Sequence, residues 1–283
     1  MKTYKRVYEE GKNVLEKASV TEAALDARLL LEHICGTNRN DLILHGDREL
    51  LPEQIRTYEE YIQKRAGHIP LQHITGLQEF MGLDFQVNED VLIPRQDTER
   101  LVELVLQEAK AGSRVLDMCT GSGCILLSIL AKGKEMQGIG VDISEKALAV
   151  ARNNAKRLGI NKAEFVLSDM FAQIKDGEKF DVITSNPPYI ESGVIPTLME
   201  EVRVYEPLNA LDGGADGLEF YRILARDAEK HLNPGGRIYM EIGYNQGKAV
   251  QDLFLDAGYD FVKVYQDYAG LDRVVVCSKT ELI

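Results

Sequence analysis

From Ser113 onward the chain alternates short apolar runs with amphipathic ones. Strand-like segments at 114–118 (RVLDM), 137–142 (QGIGVD), 163–169 (AEFVLSD) and 180–185 (FDVITS) are separated by helical patterns at 124–131 and 144–158. Few folds accept this order, because parallel neighbours need a long crossover between them and a helix is the usual one. The pattern predicts an α/β fold, a mostly parallel sheet with helices on both faces. A helix near Phe220 to His231, a strand at 236–242 (GRIYMEI) and a helix from Gln246 to Leu255 continue it. The final runs, 260–266 (DFVKVYQ) and 273–278 (RVVVCS), lie close enough to pair as an antiparallel edge.

Upstream the period changes. From Thr3 to about Ala66 apolar residues recur at helical spacing, among them Val7, Val14, Leu15, Leu25, Leu29, Leu30, Ile34, Ile55, Tyr58 and Ile62. Thr21 with Glu22 opens one helix, Gly36 closes it, and Pro52 stands where a further helix should begin. Between Gly67 and Pro94 the glycines, Asn88 and Pro94 punctuate shorter runs that read as a connecting β-hairpin. Arg95, Asp97, Thr98 and Glu99 then lead into a helix from Thr98 to Ala109, with Thr98 as its expected cap. Three domains are expected: a helical N-terminal domain over 1–75, a hairpin linker over 76–94 and the α/β domain over 95–283.

The first strand runs into Asp117, Met118, Cys119, Thr120, Gly121, Ser122 and Gly123. Glycines between a strand and a helix let backbone approach a ligand, and the helix N–H groups favour an anion there. A dinucleotide loop would want another small residue after Gly123, where Leu126 stands, and no Gly-Lys-Ser/Thr follows for a triphosphate. Asp142, followed by Ile143, ends the second strand about twenty residues on, a position from which a carboxylate accepts both ribose hydroxyls. Asp169 ends the third strand, where it can accept from an adenine amino group while Met170 or Phe171 covers the ring. A ligand with ribose and adenine but no phosphates is implied, and S-adenosylmethionine fits, its sulfonium methyl directed toward Asn186.

The fourth strand stops at Asn186, Pro187, Pro188 and Tyr189. Proline has no N–H to donate, so this stiff segment offers oxygens. The Asn186 side-chain oxygen and the Pro187 carbonyl can each take one hydrogen of a planar NH2 group, with the Tyr189 ring against its flat face. Ligands of open α/β sheets bind outside the carboxyl ends of the strands, where this segment lies.

A formal charge of -12 gives no general field for nucleic acid, which is not expected as a direct partner. The four cysteines show no CxxC pair, so neither a disulfide framework nor a metal site is suggested. His68 and His73 lack an acidic or cysteine partner at metal spacing. The N-terminus has no signal-peptide core and no run is long enough to span a bilayer; a soluble, cytoplasmic protein is expected.

Together these residues resemble the class I S-adenosylmethionine-dependent methyltransferases, and more narrowly the protein-(glutamine-N5) methyltransferases of peptide chain release factors, the PrmC/HemK family. The resemblance covers nearly the whole chain, through 70–76 (PLQHITG), 79–87 (EFMGLDFQV), 91–99 (VLIPRQDTE), 115–123 (VLDMCTGSG), 185–190 (SNPPYI), 206–222 (EPLNALDGGADGLEFYR) and 269–273 (AGLDR). It implies a Rossmann-like domain with a seven-stranded sheet, preceded by a small all-α substrate-recognition domain. It implies methylation of the glutamine in the Gly-Gly-Gln motif of class I release factors, with S-adenosylhomocysteine as product, no metal, and a monomer. Cofactor contacts are implied from Cys119 to Gly123, Asp142, Met170 and Asn186, and substrate contacts from Asn186 to Tyr189. Cys119 stands where the family usually has glycine, Met170 replaces a frequent aromatic, and Gln96 with Asp97 replaces Pro-Glu. Asn-Pro-Pro-Tyr also occurs in adenine-N6 methyltransferases, so a nucleic-acid amino group is the rival acceptor; a cofactor-binding protein without catalysis is the other rival.

Overall fold

The computed structural model describes residues 2–279. The chain divides into two compact units, Met1–Leu77 with Met199–Tyr205, and Gln78–Leu198 with Glu206–Ile283.

The first unit opens with α1 (Tyr4–Lys17), where Thr3 accepts from the Arg6 N–H, and α2 (Ala23–Cys35), closed by left-handed Gly36. After α3 (Arg39–Leu44), α4 (Pro52–Ala66) starts with Pro52 in its first turn, where no partner for an N–H is needed. Leu15, Leu30, Leu31, Tyr58 and Ile62 fill the core between these helices, and the Tyr58 hydroxyl donates to the Ala27 carbonyl at 3.1 Å. Residues 71–75 differ from the expected hairpin. They form α5 (Leu71–Thr75), bounded by Pro70 and left-handed Gly76, both of which stop a helix more readily than they prolong a strand. The hairpin itself is β1 (Leu77–Phe80) and β2 (Leu83–Gln86).

In the second unit α6 (Gln96–Glu108) is followed by β3 (Arg114–Met118), α7 (Cys124–Lys132), β4 (Gln137–Asp142), α8 (Glu145–Arg157), β5 (Ala163–Leu167) and β6 (Phe180–Ser185). α6 starts earlier than expected. Arg95 is its N-cap, and Thr98, rather than capping, is buried in the first turn. After α9 (Glu200–Tyr205), which belongs to the first unit, come α10 (Glu219–Asp227), β7 (Leu232–Glu241), α11 (Gly247–Asp256), β8 (Phe261–Gln266) and β9 (Asp272–Ser278). β7 begins upstream of the expected 236–242, its added residues joined across a register shift opposite Phe180 and Val182.

The seven strands run in the order β5-β4-β3-β6-β7-β9-β8, with β9 antiparallel to β7 and to β8 and the rest parallel. The expected mostly parallel seven-stranded sheet is thus observed. Alternate residues of each strand serve opposite faces, as the pleat requires. Leu116, Ile183 and Met240 join Tyr221, Leu224 and Phe254 on one side; Val115, Val182 and Tyr239 join Leu101, Val105 and Leu126 on the other. The strand order reverses between β3 and β6, which opens a crevice at their carboxyl ends. No described helix is long and apolar enough to cross a membrane.

Candidate functional site

Asn186 leaves the sheet at that reversal. The segment it opens is gripped from behind by a stretch with no helical or strand period. The Ile190 N–H donates to the Leu211 carbonyl at 3.0 Å, the Gly213 N–H returns to the Ile190 carbonyl at 2.8 Å, and Gln246 Nε2 donates to the Tyr189 carbonyl at 2.9 Å. Gly213 is glycine for want of room: a Cβ there would stand 2.7 Å from the Tyr189 Cα and 2.8 Å from the Pro188 oxygen. Among the described residues the Pro187 carbonyl accepts no hydrogen bond.

Two sharp backbone positions shape the loop between β3 and α7. Cys119 and Gly121 lie in the left-handed region at φ 58° and 53°. The Cys119 side chain is therefore strained, since a residue with a Cβ rarely adopts this region. Gly123, at φ 80°, caps α7, and a Cβ would press on Leu127 and Ala151 at 3.1 and 3.2 Å. Asn154 of α8 ties the loop down, donating to the Ser122 carbonyl at 2.9 Å and to Gln86 at 3.0 Å.

Asp142 accepts from the Gly121 N–H through Oδ2 and from the Ser144 N–H through Oδ1, both at 2.9 Å. Each oxygen keeps lone pairs for a ligand. Burial raises its carboxyl pKa, opposed by those N–H groups. Asp117 lies beneath, accepting from Thr120 Oγ1 at 2.6 Å and Thr184 Oγ1 at 2.8 Å; burial outweighs these donors and raises its carboxyl to about 6.

A cleft of about 600 Å³ gathers these elements. Of the residues singled out in the sequence, Cys119, Thr120, Gly121, Ser122, Asp142, Ile143, Asp169, Met170, Asn186 and Pro188 line it. Asp117, Gly123, Pro187 and Tyr189 do not. Asp117 is fully buried under the loop, where its two hydroxyl donors hold it, and Gly123 serves helix packing. Tyr189 is half-buried, and its hydroxyl donates to Glu241 Oε1 at 3.2 Å. The loop walls also include Arg95, Pro207, Asn209 and Asp212, with Phe220 and Ile223 from α10. Arg95 is held by buried Glu206 at 2.5 Å. Sequence periodicity could not find Pro207, Asn209 and Asp212, since residues 191–218 carry none; the 206–222 signature was the only signal for them.

The lining suits a nucleoside. An added side chain at Gly121 would meet nothing within 4 Å, leaving the loop backbone open to a ligand, while Ile143, 60% exposed, and Met170 offer apolar flanks for a flat ring. The volume lies within the range of small-molecule sites. Among the described residues no group of three His, Cys, Asp or Glu is placed to hold a metal.

A seven-stranded sheet in this order, with its glycine loop after the first strand and an acid at the end of the second, defines a class I methyltransferase. A methyltransferase from Pyrococcus furiosus shares the fold at a TM-score of 0.53 and 22% identity, over 71% of this chain and 90% of that one. The family model described as PrmC N-terminal domain matches residues 6–76, and one described as Methyltransferase domain matches 109–261. A release factor glutamine methyltransferase of Caulobacter vibrioides is 42% identical over 99% of this chain and 98% of its own length. One of Geobacter sulfurreducens is 41% identical over 96% and 95%. The chain belongs to the release factor glutamine methyltransferase family.

Proposed function

We propose that this chain methylates the side-chain N5 of the glutamine in the Gly-Gly-Gln motif of class I peptide chain release factors, using S-adenosylmethionine, in support of translation termination. The observation that carries this reading is Asn186 at the end of β6, opening with Pro188 onto the same cleft as the loop and Asp142, in a chain of this family.

The cofactor, when bound, supplies a methyl group on a positively charged sulfur. Asp142 accepts from the ribose hydroxyls, Asp169 from the adenine amino group, and Ile143 and Met170 flank the ring. The loop from Cys119 to Gly123 carries the amino-acid end. On the acceptor side, Asn186 Oδ1 and the Pro187 carbonyl each take one amide hydrogen. The glutamine nitrogen is a poor nucleophile because its lone pair is delocalised into the carbonyl. Holding both hydrogens on fixed acceptors favours a pyramidal nitrogen and aligns it with the methyl carbon. No strong base is needed, because the methylated nitrogen readily loses its proton to water. Pro188 stiffens the segment, and Tyr189 anchors it.

Residues 1–75 recognise the release factor, 76–94 link, and 95–283 carry out the chemistry, in a cytoplasmic monomer with no direct nucleic-acid partner. The test is incubation of the full chain with S-adenosylmethionine and a class I release factor, digestion, and mass spectrometry of the Gly-Gly-Gln peptide. A single added methyl on the glutamine is expected. An unmodified peptide from a chain that binds the cofactor would overturn the assignment.

A further inference from the structure

Pro187 and Pro188 have no N–H with which to tie their segment down, and their fixed φ angles make it stiff. Among the described residues, the one backbone group of residues 187–189 held by a hydrogen bond is the Tyr189 carbonyl, which accepts from Gln246 Nε2 at 2.9 Å. The same Nε2 donates to the Gly217 carbonyl at 3.2 Å, and Gln246 Oε1 accepts from the Gly243 N–H at 2.9 Å. Gln246, the N-cap of α11, is 8% exposed. One side-chain amide thus joins the turn after β7, the segment after β6 and the stretch before α10. Gly217 is left-handed at φ 70°, and a Cβ there would run into the Tyr189 carbonyl oxygen and stand 2.7 Å from Gln246 Nε2.

A carbonyl oxygen only accepts and a backbone N–H only donates, so these three partners leave the Gln246 amide a single orientation. Two carbonyl oxygens that converge on one point need two hydrogens between them, and an NH2 group carries both. The two prolines have few angles left to turn, so holding the Tyr189 carbonyl at one end, with β6 at the other, fixes the direction of the Pro187 carbonyl between them. We propose that Gln246 is a positioning residue for methyl transfer, keeping Asn186 and Pro187 at the spacing that receives both hydrogens of an NH2 group. The inference rests on reading Asn186 and Pro187 as the amide-binding pair. Gln246 also has a purely local role in the turn at 243–246, and of its side-chain atoms only Oε1 serves that turn.

The test uses the full chain with Gln246→Glu, Gln246→Met and, as a control for lost stability, Phe254→Leu at a buried position of α11. Gln246→Glu keeps an oxygen for the Gly243 N–H and loses both donors, so it spares the turn and breaks only the hold on Tyr189 and Gly217. Thermal unfolding confirms folding, and calorimetry gives the S-adenosylmethionine Kd. Both Gln246 variants should lower kcat on a release factor by about 10- to 100-fold, with KM for the release factor and the cofactor Kd within about threefold of the original. Phe254→Leu should keep kcat within about threefold although it too loses stability. Original kcat in either Gln246 variant, or an equal fall in Phe254→Leu, would overturn the proposal while leaving the glutamine reading intact. A second readout needs no acceptor: exchange of the Ile190 and Gly213 backbone amide hydrogens, which pair the segment with the cleft wall. Exchange should quicken by at least about tenfold in both Gln246 variants and stay within about twofold in Phe254→Leu. Unchanged exchange in the Gln246 variants would sink the positioning role. Quickened exchange in a chain that leaves glutamine unmethylated would keep the hold of Gln246 on the segment and remove the glutamine assignment.

Discussion

At the scale of single residues, the site separates binding from chemistry. Asn186 lines the same cleft as Asp142 and the glycine loop but is read as holding the acceptor amide, so Asn186→Ala should leave the S-adenosylmethionine Kd within about threefold while turnover falls by about 100- to 1000-fold. Calorimetry and steady-state rates on one preparation check both halves. Gly213 carries a different burden. A methyl group there meets backbone of Tyr189 and Pro188, which cannot rotate away as a flexible side chain would. Gly213→Ala should therefore cost about 1–3 kcal/mol in urea unfolding and also depress kcat, since relief requires the segment after Asn186 to move. A stability loss with normal kcat would show that strain at Gly213 does not reach Asn186.

At the scale of elements, the junction of β3, the loop and α7 carries a titratable group out of water. Burial raises Asp117 from its ordinary 3.8 to about 6, against the Thr120 and Thr184 hydroxyls that favour its charge. The folded chain thus binds this proton more tightly than the unfolded one. The associated stability is fully present below pH 3.8 and is lost as pH rises through about 6. The gap between about 6 and 3.8 corresponds to roughly 3 kcal/mol at about 1.36 kcal/mol per pH unit. Asp142, Glu206 and Glu241 are raised too, so the total fall belongs to several acids. Asp117→Asn should remove its own share: urea unfolding at pH 3.5 and pH 7.5 should show a fall about 3 kcal/mol smaller than in the unmodified chain. Equal falls in the two proteins would mean that Asp117 is charged at no cost.

At the scale of the whole molecule, the chain leaves the α/β unit at Leu198 and returns at Glu206, one residue before Pro207 of the cleft wall. The excursion, α9, is held within the first unit by Arg65, which pairs with Asp26 at 2.6 Å and Glu201 at 2.5 Å, and by Tyr205, whose hydroxyl donates to the Gly67 carbonyl at 2.8 Å. A chain cut down to 78–283 loses those partners, and a helix as short as α9 has little stability alone. Trypsin should then cut after Arg203 early in that shortened chain, slowly in the full one, and at an intermediate rate in Arg65→Ala, as followed by mass spectrometry of timed digests. Equal protection in all three would mean that α9 is held by something other than the first unit.

Sequence alone determined what is local. Alternating strand and helix patterns gave the parallel sheet, because burial on two faces writes itself into each strand separately, and Gly121, Asp142, Asp169, Asn186 and Pro188, singled out by their local pattern, line the cleft. Tertiary structure decided what depends on distant neighbours. Thr98 has the local pattern of a cap, but α6 starts at Gln96 and turns the hydroxyl inward. Asp117 and Asp142 both lie near the ends of adjacent strands, yet Asp117, within β3 and opposite Gly140, is sealed beneath the loop, while Asp142, at the end of β4 and two residues beyond that register, lines the cleft. Residues 206–218 have no consistent period to read; they became a wall of the site because Gly213 packs on Tyr189 and α10 lies against the sheet beside it. Which side chains face one another across a crevice is fixed by the order of strands, and that order is a property of the folded sheet.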